Sequence, residues 1–505
     1  MKLFTTSQIK ELDAKTIELE DISSVDLMDR ASLALFKRII KKIKLSDTIL
    51  ILAGPGNNGG DGLALARLLV EAGYHVQTVL CNQTKLSNDA SVQLERLQKI
   101  PNAEIFNLKK ISDLSIFEGR NIILDALFGS GLNRPLTEFY AEIVHWTKRQ
   151  DAQILSIDLP SGLFGEDNSQ NILENIVSAD LVLGLQFPRL SFLMSENESF
   201  IKEWELVNIG IHPGALEVMQ TPYAYTEMKD LTPILKTRSR FSHKGTFGKG
   251  LLIAGSPGMM GAAILSSKGA LRSGIGLLTV RIPDSGVSIL QTTTPEAIVQ
   301  SYHSEGFCDE SELVDLDDYS AIAVGPGIRT GKVQASSLEN LIKQHPFPLI
   351  LDADALNLLA ENKNLLKMLP KNSVLTPHPK EFDRLAGKTA HTGFERLESA
   401  RNFATEHQVY IILKGSYTAC ISPDGSCHFN STGNPGMATG GSGDVLTGIV
   451  LSLLAQGYQP AEACKLGVYL HGLSGDLALK KQSQESLLAS DLIKNLGKAF
   501  SRLRT

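Results

Sequence analysis

The sequence predicts an α/β protein made of two parallel-sheet domains, and three observations predict it. Short apolar runs alternate with helix-length segments along the whole chain, the pattern of parallel sheets covered by helices. At about 150 residues per domain, 505 residues exceed one small binding module. With 43% apolar and 21% charged residues, the chain can bury sizeable cores, which excludes disordered and collagen-like classes.

The first domain opens with Met1 to Glu20, read as a charged helix capped near Thr6 or Ser7. The runs Ile49–Ala53, His75–Leu80, Asn121–Asp125, Gln153–Asp158 and Asp180–Leu185 follow, separated by segments such as Leu63 to Ala72. They make one doubly wound, Rossmann-like sheet of five strands. After Pro213-Gly214 the alternation is interrupted by Gln220-Thr-Pro, Thr232-Pro and the basic Lys236-Thr-Arg-Ser-Arg240, which mark a domain boundary. The second series comprises Gly250–Gly255, Gly276–Ile282, Ala321–Gly325, Pro348–Asp352, Ser373–Thr376 and Val409–Leu413, then a hairpin around Pro423-Asp-Gly425. Three long helices close the chain.

The net charge of −6 is spread without long single-sign blocks, which argues against a nucleic-acid or anionic-membrane surface and for small ligands. Five cysteines, none in a Cys-x-x-Cys pair, suggest neither a disulfide framework nor a cysteine zinc site and fit a reducing cytoplasm. No charged-then-apolar leader and no run of about 18 apolar residues occurs, so nothing directs the chain to a membrane.

Gly54-Pro-Gly-Asn-Asn-Gly-Gly-Asp-Gly62 follows a strand directly and opens a helix, the context in which Gly-x-Gly-x-x-Gly can hold a phosphate on main-chain amides. A tight turn without ligand is the alternative. Cys81-Asn82 stands at the end of the second strand, where a dehydrogenase would carry the acid that holds the ribose, so the usual cofactor orientation is not expected. Asp125, followed by Gly129-Ser-Gly-Leu-Asn-Arg-Pro135, and Asp158, followed by Leu-Pro-Ser161-Gly162, end two further strands. Each Asp alone is readable as a cap or turn-former, yet three loops at successive strand ends converge on one crevice. Asn58, Asp125 and Ser161 supply hard oxygens suited to an alkali or alkaline-earth cation, and Asp158 is placed to exchange a proton with a substrate.

These motifs, with Asp-Ala-Leu-Phe-Gly-Ser-Gly-Leu and Ile-Asp-Leu-Pro-Ser-Gly, resemble the NAD(P)H-hydrate epimerase domain over residues 1–215. The resemblance implies that Asn57, Asn58, Gly59, Gly60 and Asp61, together with Gly129, Ser130, Gly131, Leu132, Asn133, Arg134 and Pro135, bind the hydrated nucleotide. It further implies that Asn58, Asp125 and Ser161 hold potassium and that Asp158 contacts the reacting nicotinamide ring.

In the second half, Asn434-Pro-Gly-Met-Ala-Thr-Gly440-Gly-Ser-Gly-Asp444 runs into an apolar helix, Val445 to Ala455. Amides of Gly441 to Gly443 form an anion hole, and Asp444 in the first turn is placed to accept a proton from a hydroxyl that attacks a phosphoryl group. A simple N-terminal cap would not need so many glycines. Walker A is absent, since Phe382 stands where the first glycine before Gly387-Lys388-Thr389 belongs. Lys414-Gly415 at a strand end is either an exposed lysine or a group approaching nucleotide phosphates. His378, in Thr376-Pro-His-Pro-Lys-Glu381, reads as a fixed hydrogen-bonding group.

Together with Gly255-Ser-Pro-Gly-Met-Met-Gly-Ala-Ala263, Val-Gly-Pro-Gly327 and Leu-Asp-Ala-Asp-Ala-Leu-Asn357, this set resembles the ADP-dependent NAD(P)H-hydrate dehydratase, a branch of the ribokinase-like superfamily, over residues 225–505. By that resemblance Ala263, Gly327, His378 and Asp444 contact the hydrated nucleotide, and Lys414, Gly415, Ser416, Tyr417, Thr418 and Gly443 contact ADP. Ser442 stands where many relatives have Thr, with the hydroxyl kept. The two halves thus imply an epimerase that interconverts the two hydrate configurations and a dehydratase that restores NADH or NADPH with ADP, Mg²⁺ and K⁺, in a homo-oligomer. A ribokinase-type small-molecule kinase and a nucleotide-sensing scaffold are the other function classes. A stable phosphorylated product or ligand-dependent partner capture would mark them.

Overall fold

The computed structural model describes residues 1–82, 84–308 and 315–504. The chain divides into two compact units, Lys2–Thr221 with Thr392–Phe394, and Met1, Pro222–His391 and Glu395–Thr505.

The N-terminal unit holds seven strands: β1 (Thr48–Ala53), β2 (His75–Leu80), β3 (Glu104–Asn107), β4 (Ile122–Ala126), β5 (Gln153–Ile157), β6 (Leu181–Leu185) and β7 (Trp204–Val207). All neighbours run parallel in the order β3-β2-β1-β4-β5-β6-β7. The central strands are the continuous apolar runs expected of a sheet covered on both faces. The edge strands β3 and β7 are half-exposed and lack that signature, so five expected strands became seven. Strand order reverses at β1, and the loops after β1 and β4 part there to leave the crevice where ligands of such sheets bind. Gly54 makes this junction possible: its N–H donates to Ala126 O at 3.0 Å, and a Cβ on it would lie 1.9 Å from Leu127 O. The first long helix, Thr6–Glu20, is capped by Thr5, one residue earlier than expected, because Thr5 and Gln8 exchange side-chain and backbone hydrogen bonds.

The second unit holds β8 (Tyr223–Thr226), β9 (Lys249–Ile253), β10 (Leu277–Pro283), β11 (Ile298–Tyr302), β12 (Ala321–Val324), β13 (Leu349–Leu351), β14 (Val374–Leu375), β15 (Tyr410–Leu413), β16 (Ala419–Ile421) and β17 (Cys427–Asn430). They lie in the order β8-β17-β16-β15-β14-β13-β12-β9-β10-β11. The pairs β15–β16 and β16–β17 run antiparallel, the second being the hairpin around Pro423-Asp-Gly425. The closing helices are Ser442–Ala455, Pro460–Ala478 and Ala489–Arg504. Ser442–Ala455 packs on helix Met260–Arg272 at glycine contacts: a Cβ on Gly448 would lie 2.0 Å from Ser266 O, and one on Gly269 2.7 Å from Val445 O. Among the described residues no helix is long and apolar enough to cross a membrane.

Candidate active sites

The crevice of the N-terminal unit is a cavity of about 390 Å³ lined by the loops after β1, β4, β5 and β6 and by helix Thr6–Glu20. Strand β5 ends at Ile157, one residue short of the expected strand, because Asp158 takes a left-handed conformation (φ 67°) that few side chains tolerate. That turn aims its carboxylate into the cavity. One oxygen pairs with the Arg189 guanidinium, and the other accepts from Ser130 N at 2.9 Å. Gly129 leaves room for this arrangement: a Cβ there would sit 2.8 Å from Asp158 Oδ2 and 3.0 Å from Asn58 Oδ1.

Asp125 is fully buried and accepts from Ser156 Oγ and Ser161 N, each at 2.8 Å, from the Ser161 hydroxyl, and from Leu127 N at 3.3 Å. Burial holds its carboxyl above the usual range against those hydrogen bonds. Asn58 Nδ2 is buried with no partner.

Asn57, Asn58, Asp61, Gly129, Ser130, Gly131, Leu132 and Asp158 line the cavity, as their motifs suggested. Gly59 and Gly60 do not. A Cβ on Gly59 would strike Gly54 O at 1.9 Å and one on Gly60 the Met28 side chain at 2.8 Å, so Gly59 serves close backbone packing and Gly60 leaves room for Met28. Asn133, Arg134 and Pro135 lie beyond the cavity lining, and the first two are exposed.

Two residues that motif reasoning missed complete the cavity. Asp13 projects from helix Thr6–Glu20, where burial, against the nearby Arg189 and with help from Asp158, pushes its carboxyl up to about 6. Its position four residues after buried Ile9 and three before buried Thr16 was the available signal: an acid on the apolar face of a helix. Arg189 is 2% exposed, and its Nε and Nη1 have no hydrogen-bond partner.

In the second unit Asp444 sits in the first turn of helix Ser442–Ala455, which starts at Gly441 in the left-handed conformation (φ 86°). Burial, then Asp352, pushes the Asp444 carboxyl up to about 6 against the opposing pull of Lys414. Lys414 Nζ donates to Asp352 Oδ1 at 3.0 Å and lies 3.7 Å from Glu381 Oε2. Burial pulls that ammonium down, but the two carboxylates outweigh it and the lysine stays firmly protonated. Asp352 Oδ2 accepts from Thr447 Oγ1 at 2.7 Å, tying the strand end to the helix of Asp444. A Cβ on Gly443 would lie 3.4 Å from Lys414 Nζ, so the ammonium is aimed at the helix amino terminus.

His378 is half-exposed and caps helix Pro379–Ala386, Nδ1 accepting from Glu381 N at 3.3 Å. Gly327 is buried at φ 68°, with the Met259 carbonyl 3.1 Å from where a Cβ would stand. Ala263 is fully buried in the core, where its side chain faces Gly255 rather than open space. Gly415 and Ser416 are exposed, and Thr418 Oγ1 donates to Gly415 O at 2.9 Å, closing the turn that carries Tyr417. His471 was also missed. Burial holds its imidazole down to about 4, and Nε2 lies 2.9 Å from Ser442 O and 3.2 Å from Ser442 Oγ, beneath the glycine loop.

Family models match both halves of the chain. The one described as YjeF-related protein N-terminus matches residues 24–191, and the one described as NAD(P)H-hydrate dehydratase matches residues 250–498. The bifunctional NAD(P)H-hydrate repair enzyme Nnr of Moorella thermoacetica is 32% identical, with 98% of this chain and 95% of the relative covered. The enzyme of the same name from Thermofilum pendens is 33% identical, with 100% and 97% covered. Among solved structures, the ADP/ATP-dependent NAD(P)H-hydrate dehydratase from Bacillus subtilis co-crystallized with ATP/Mg²⁺ is 34% identical at a TM-score of 0.50, covering 55% of this chain and 98% of that one. A ribokinase-like superfamily protein from Enterococcus faecalis V583 is 29% identical at a TM-score of 0.50, with 57% and 99% covered. Matched in both halves and over almost its whole length, the chain belongs to the family of bifunctional NAD(P)H-hydrate repair enzymes.

Proposed function

We propose that the two aspartates divide one repair task, with residues 1–215 acting as the epimerase and 225–505 as the dehydratase. The chain is a bifunctional NAD(P)H-hydrate repair enzyme: an NAD(P)H-hydrate epimerase joined to an ADP-dependent dehydratase. The single observation that supports the division of labour is that each unit sets an aspartate beside a glycine-rich main-chain cradle, Asp158 just after a strand and Asp444 in the first turn of a helix.

In the epimerase unit the hydrated nicotinamide ring enters the cavity beside Asp158, and Asn57 to Asp61 with Gly129 to Leu132 hold the nucleotide. Asn58, Asp125 and Ser161 would hold potassium. Their donors are all oxygen, and Asp125 is a fully buried carboxyl that no Lys, Arg or His pairs with among the described residues. The ion would balance that charge and fix the three loops.

In the dehydratase unit Asp444 takes the proton of the ring hydroxyl as its oxygen attacks the terminal phosphoryl of ADP, and AMP leaves. Glycine-loop amides and Lys414 stabilise the charge on the transferred group. The phosphate then departs from carbon with its electron pair while the neighbouring C–H gives up its proton, restoring the dihydronicotinamide. A Mg²⁺ ion would be held mainly by the nucleotide phosphates, whose charge it would neutralise. The five buried, free thiols suit a reducing cytoplasm.

The test is to incubate the full chain with a mixed-epimer preparation of hydrated NADH, Mg²⁺, K⁺ and ADP, following NADH absorbance and AMP release. Complete recovery with one AMP per NADH is expected. Recovery that stalls at the fraction of one epimer would remove the epimerase, and a stable phosphorylated product would turn the second unit into a kinase.

A further inference from the structure

The geometry points to Asp13 as a second catalytic residue of the epimerase, the acid that works on the ring face opposite Asp158. This inference rests on the reading of the N-terminal cavity as the epimerase site. Asp13 and Asp158 line the same cavity from different elements, a helix and a strand end, with Arg189 engaging Asp158. They are held differently. Asp158 has a guanidinium and a main-chain amide on its oxygens, whereas among the described residues no hydrogen bond favours the anion of the half-buried Asp13, and burial pushes its carboxyl up to about 6. Two carboxyls that line one cavity and are held by different partners are the arrangement an acid and a base require.

The substrate calls for such a pair. Hydration of an enamine puts the hydroxyl on the carbon bonded to nitrogen, so configuration is inverted once that carbon becomes planar. Asp13 gives its proton to the hydroxyl, and the C–O bond breaks with its electron pair leaving as water. The ring-nitrogen lone pair closes the C=N bond. Water then adds from the other face, returning the nitrogen lone pair and giving its proton to Asp158. Solvent carries the proton back to Asp13. In the reverse direction the two carboxyls exchange roles, as microscopic reversibility requires.

The groups facing Asp13 are Asp61 from the glycine loop, Asp158 and Arg189, and Lys10 of its own helix lines the same cavity. On the neighbouring helix Ser24–Ile39, Arg30 is engaged by Glu20 and Asp29 by Arg96. Glu217 is the acid of helix Pro213–Val218, which also packs on the Asp13 helix.

The experiment uses the full chain with ADP in excess, so that the epimer suited to the dehydratase disappears in a fast phase and the slow phase reports epimerisation. Asp13→Asn should slow the second phase about 100-fold or more while leaving the fast phase unchanged. Asp13→Glu should recover at least about tenfold of that loss. Wild-type epimerisation should fall as pH rises through about 6, and Asp13→Asn should lack that limb. A slow phase within about threefold of wild type in Asp13→Asn, or no restoration by Asp13→Glu, overturns the inference. Asp158→Asn separates it from the underlying reading: if that variant also epimerises normally, the cavity is not the epimerase site at all.

Discussion

Asp158 and Asp444 reach their sites by different means. Asp158 is fixed by side chains and strain, through a buried ion pair to Arg189, a left-handed backbone and the missing Cβ of Gly129. Asp444 rides in the first turn of a helix and, among the described residues, carries no direct ion pair; Lys414, bound to Asp352, acts on it through space. A carboxylate paired to a buried guanidinium is positioned tightly. One pushed up to about 6 by burial keeps its proton until close to neutral pH and is then basic enough to accept one from a hydroxyl. The contrast teaches that the same residue type is tuned by whichever neighbours its local chain supplies.

The sharpest way to break the comparison is to remove each carboxylate in turn. Asp444→Asn should lower dehydration about 100- to 10,000-fold and leave epimerisation intact, and Asp158→Asn should do the reverse. Separate assays of the two steps check this, and crossed losses would mean that the units are not independent in chemistry.

Next come the two glycines. Gly129→Ala forces a methyl to 2.8 Å from Asp158 Oδ2 and should cost epimerisation about 100-fold. Gly443→Ala meets only the flexible end of Lys414 at 3.4 Å and should cost dehydration less than about tenfold. Equal effects would show that both aspartates depend on steric placement alike.

The pH profile sharpens the contrast further. Asp444 must be ionised to act as a base, so dehydration should fall as pH drops through about 6. Lys414 opposes the rise in its proton affinity, so in Lys414→Met the residual activity should show that limb at higher pH. An unmoved limb would assign the titration to another group.

The smallest effect is on stability. Folding raises the Asp13 carboxyl from 3.8 to about 6, so the folded state binds the proton more tightly. Stability contributed by the neutral form is present below pH 4 and is lost as pH rises to about 6. A shift of this size is worth roughly 3 kcal/mol at most, so Asp13→Asn should raise stability at pH 7 by ~1–3 kcal/mol and much less at pH 4. Thermal or urea unfolding at the two pH values measures it.

Central strands were legible because a strand buried on both faces is an uninterrupted apolar run, as β1 and β4 are. The half-exposed β3 and β11 gave no such run, and their place is fixed by pairing with distant strands. Asp125, Asp158 and Asp444 were legible because a strand end or helix start and a glycine loop are local signals. Arg189 was not, since 176 sequence positions separate it from Asp13, which it meets only after the sheet forms, and Asp13 offered only its place on the apolar face of a helix. The burial of Ala263 and the packing duty of Gly59 and Gly60 were hidden for the same reason: a motif records identity and spacing, whereas the direction a residue faces is set by the surrounding fold.

The glycine contact between helices Ser442–Ala455 and Met260–Arg272 acts as a key in a slot. Gly448 lies four positions after Asp444, and its hydrogen fits against a main-chain carbonyl where a methyl would approach to 2.0 Å. An α-helix advances about 1.5 Å per residue, so sliding by a single step would drive a side chain into that carbonyl. The axial position of the base is thereby set by backbone against backbone. Apolar residues around the contact can exchange size with one another over evolutionary time, and Asp444 would stay at the same height above the sheet.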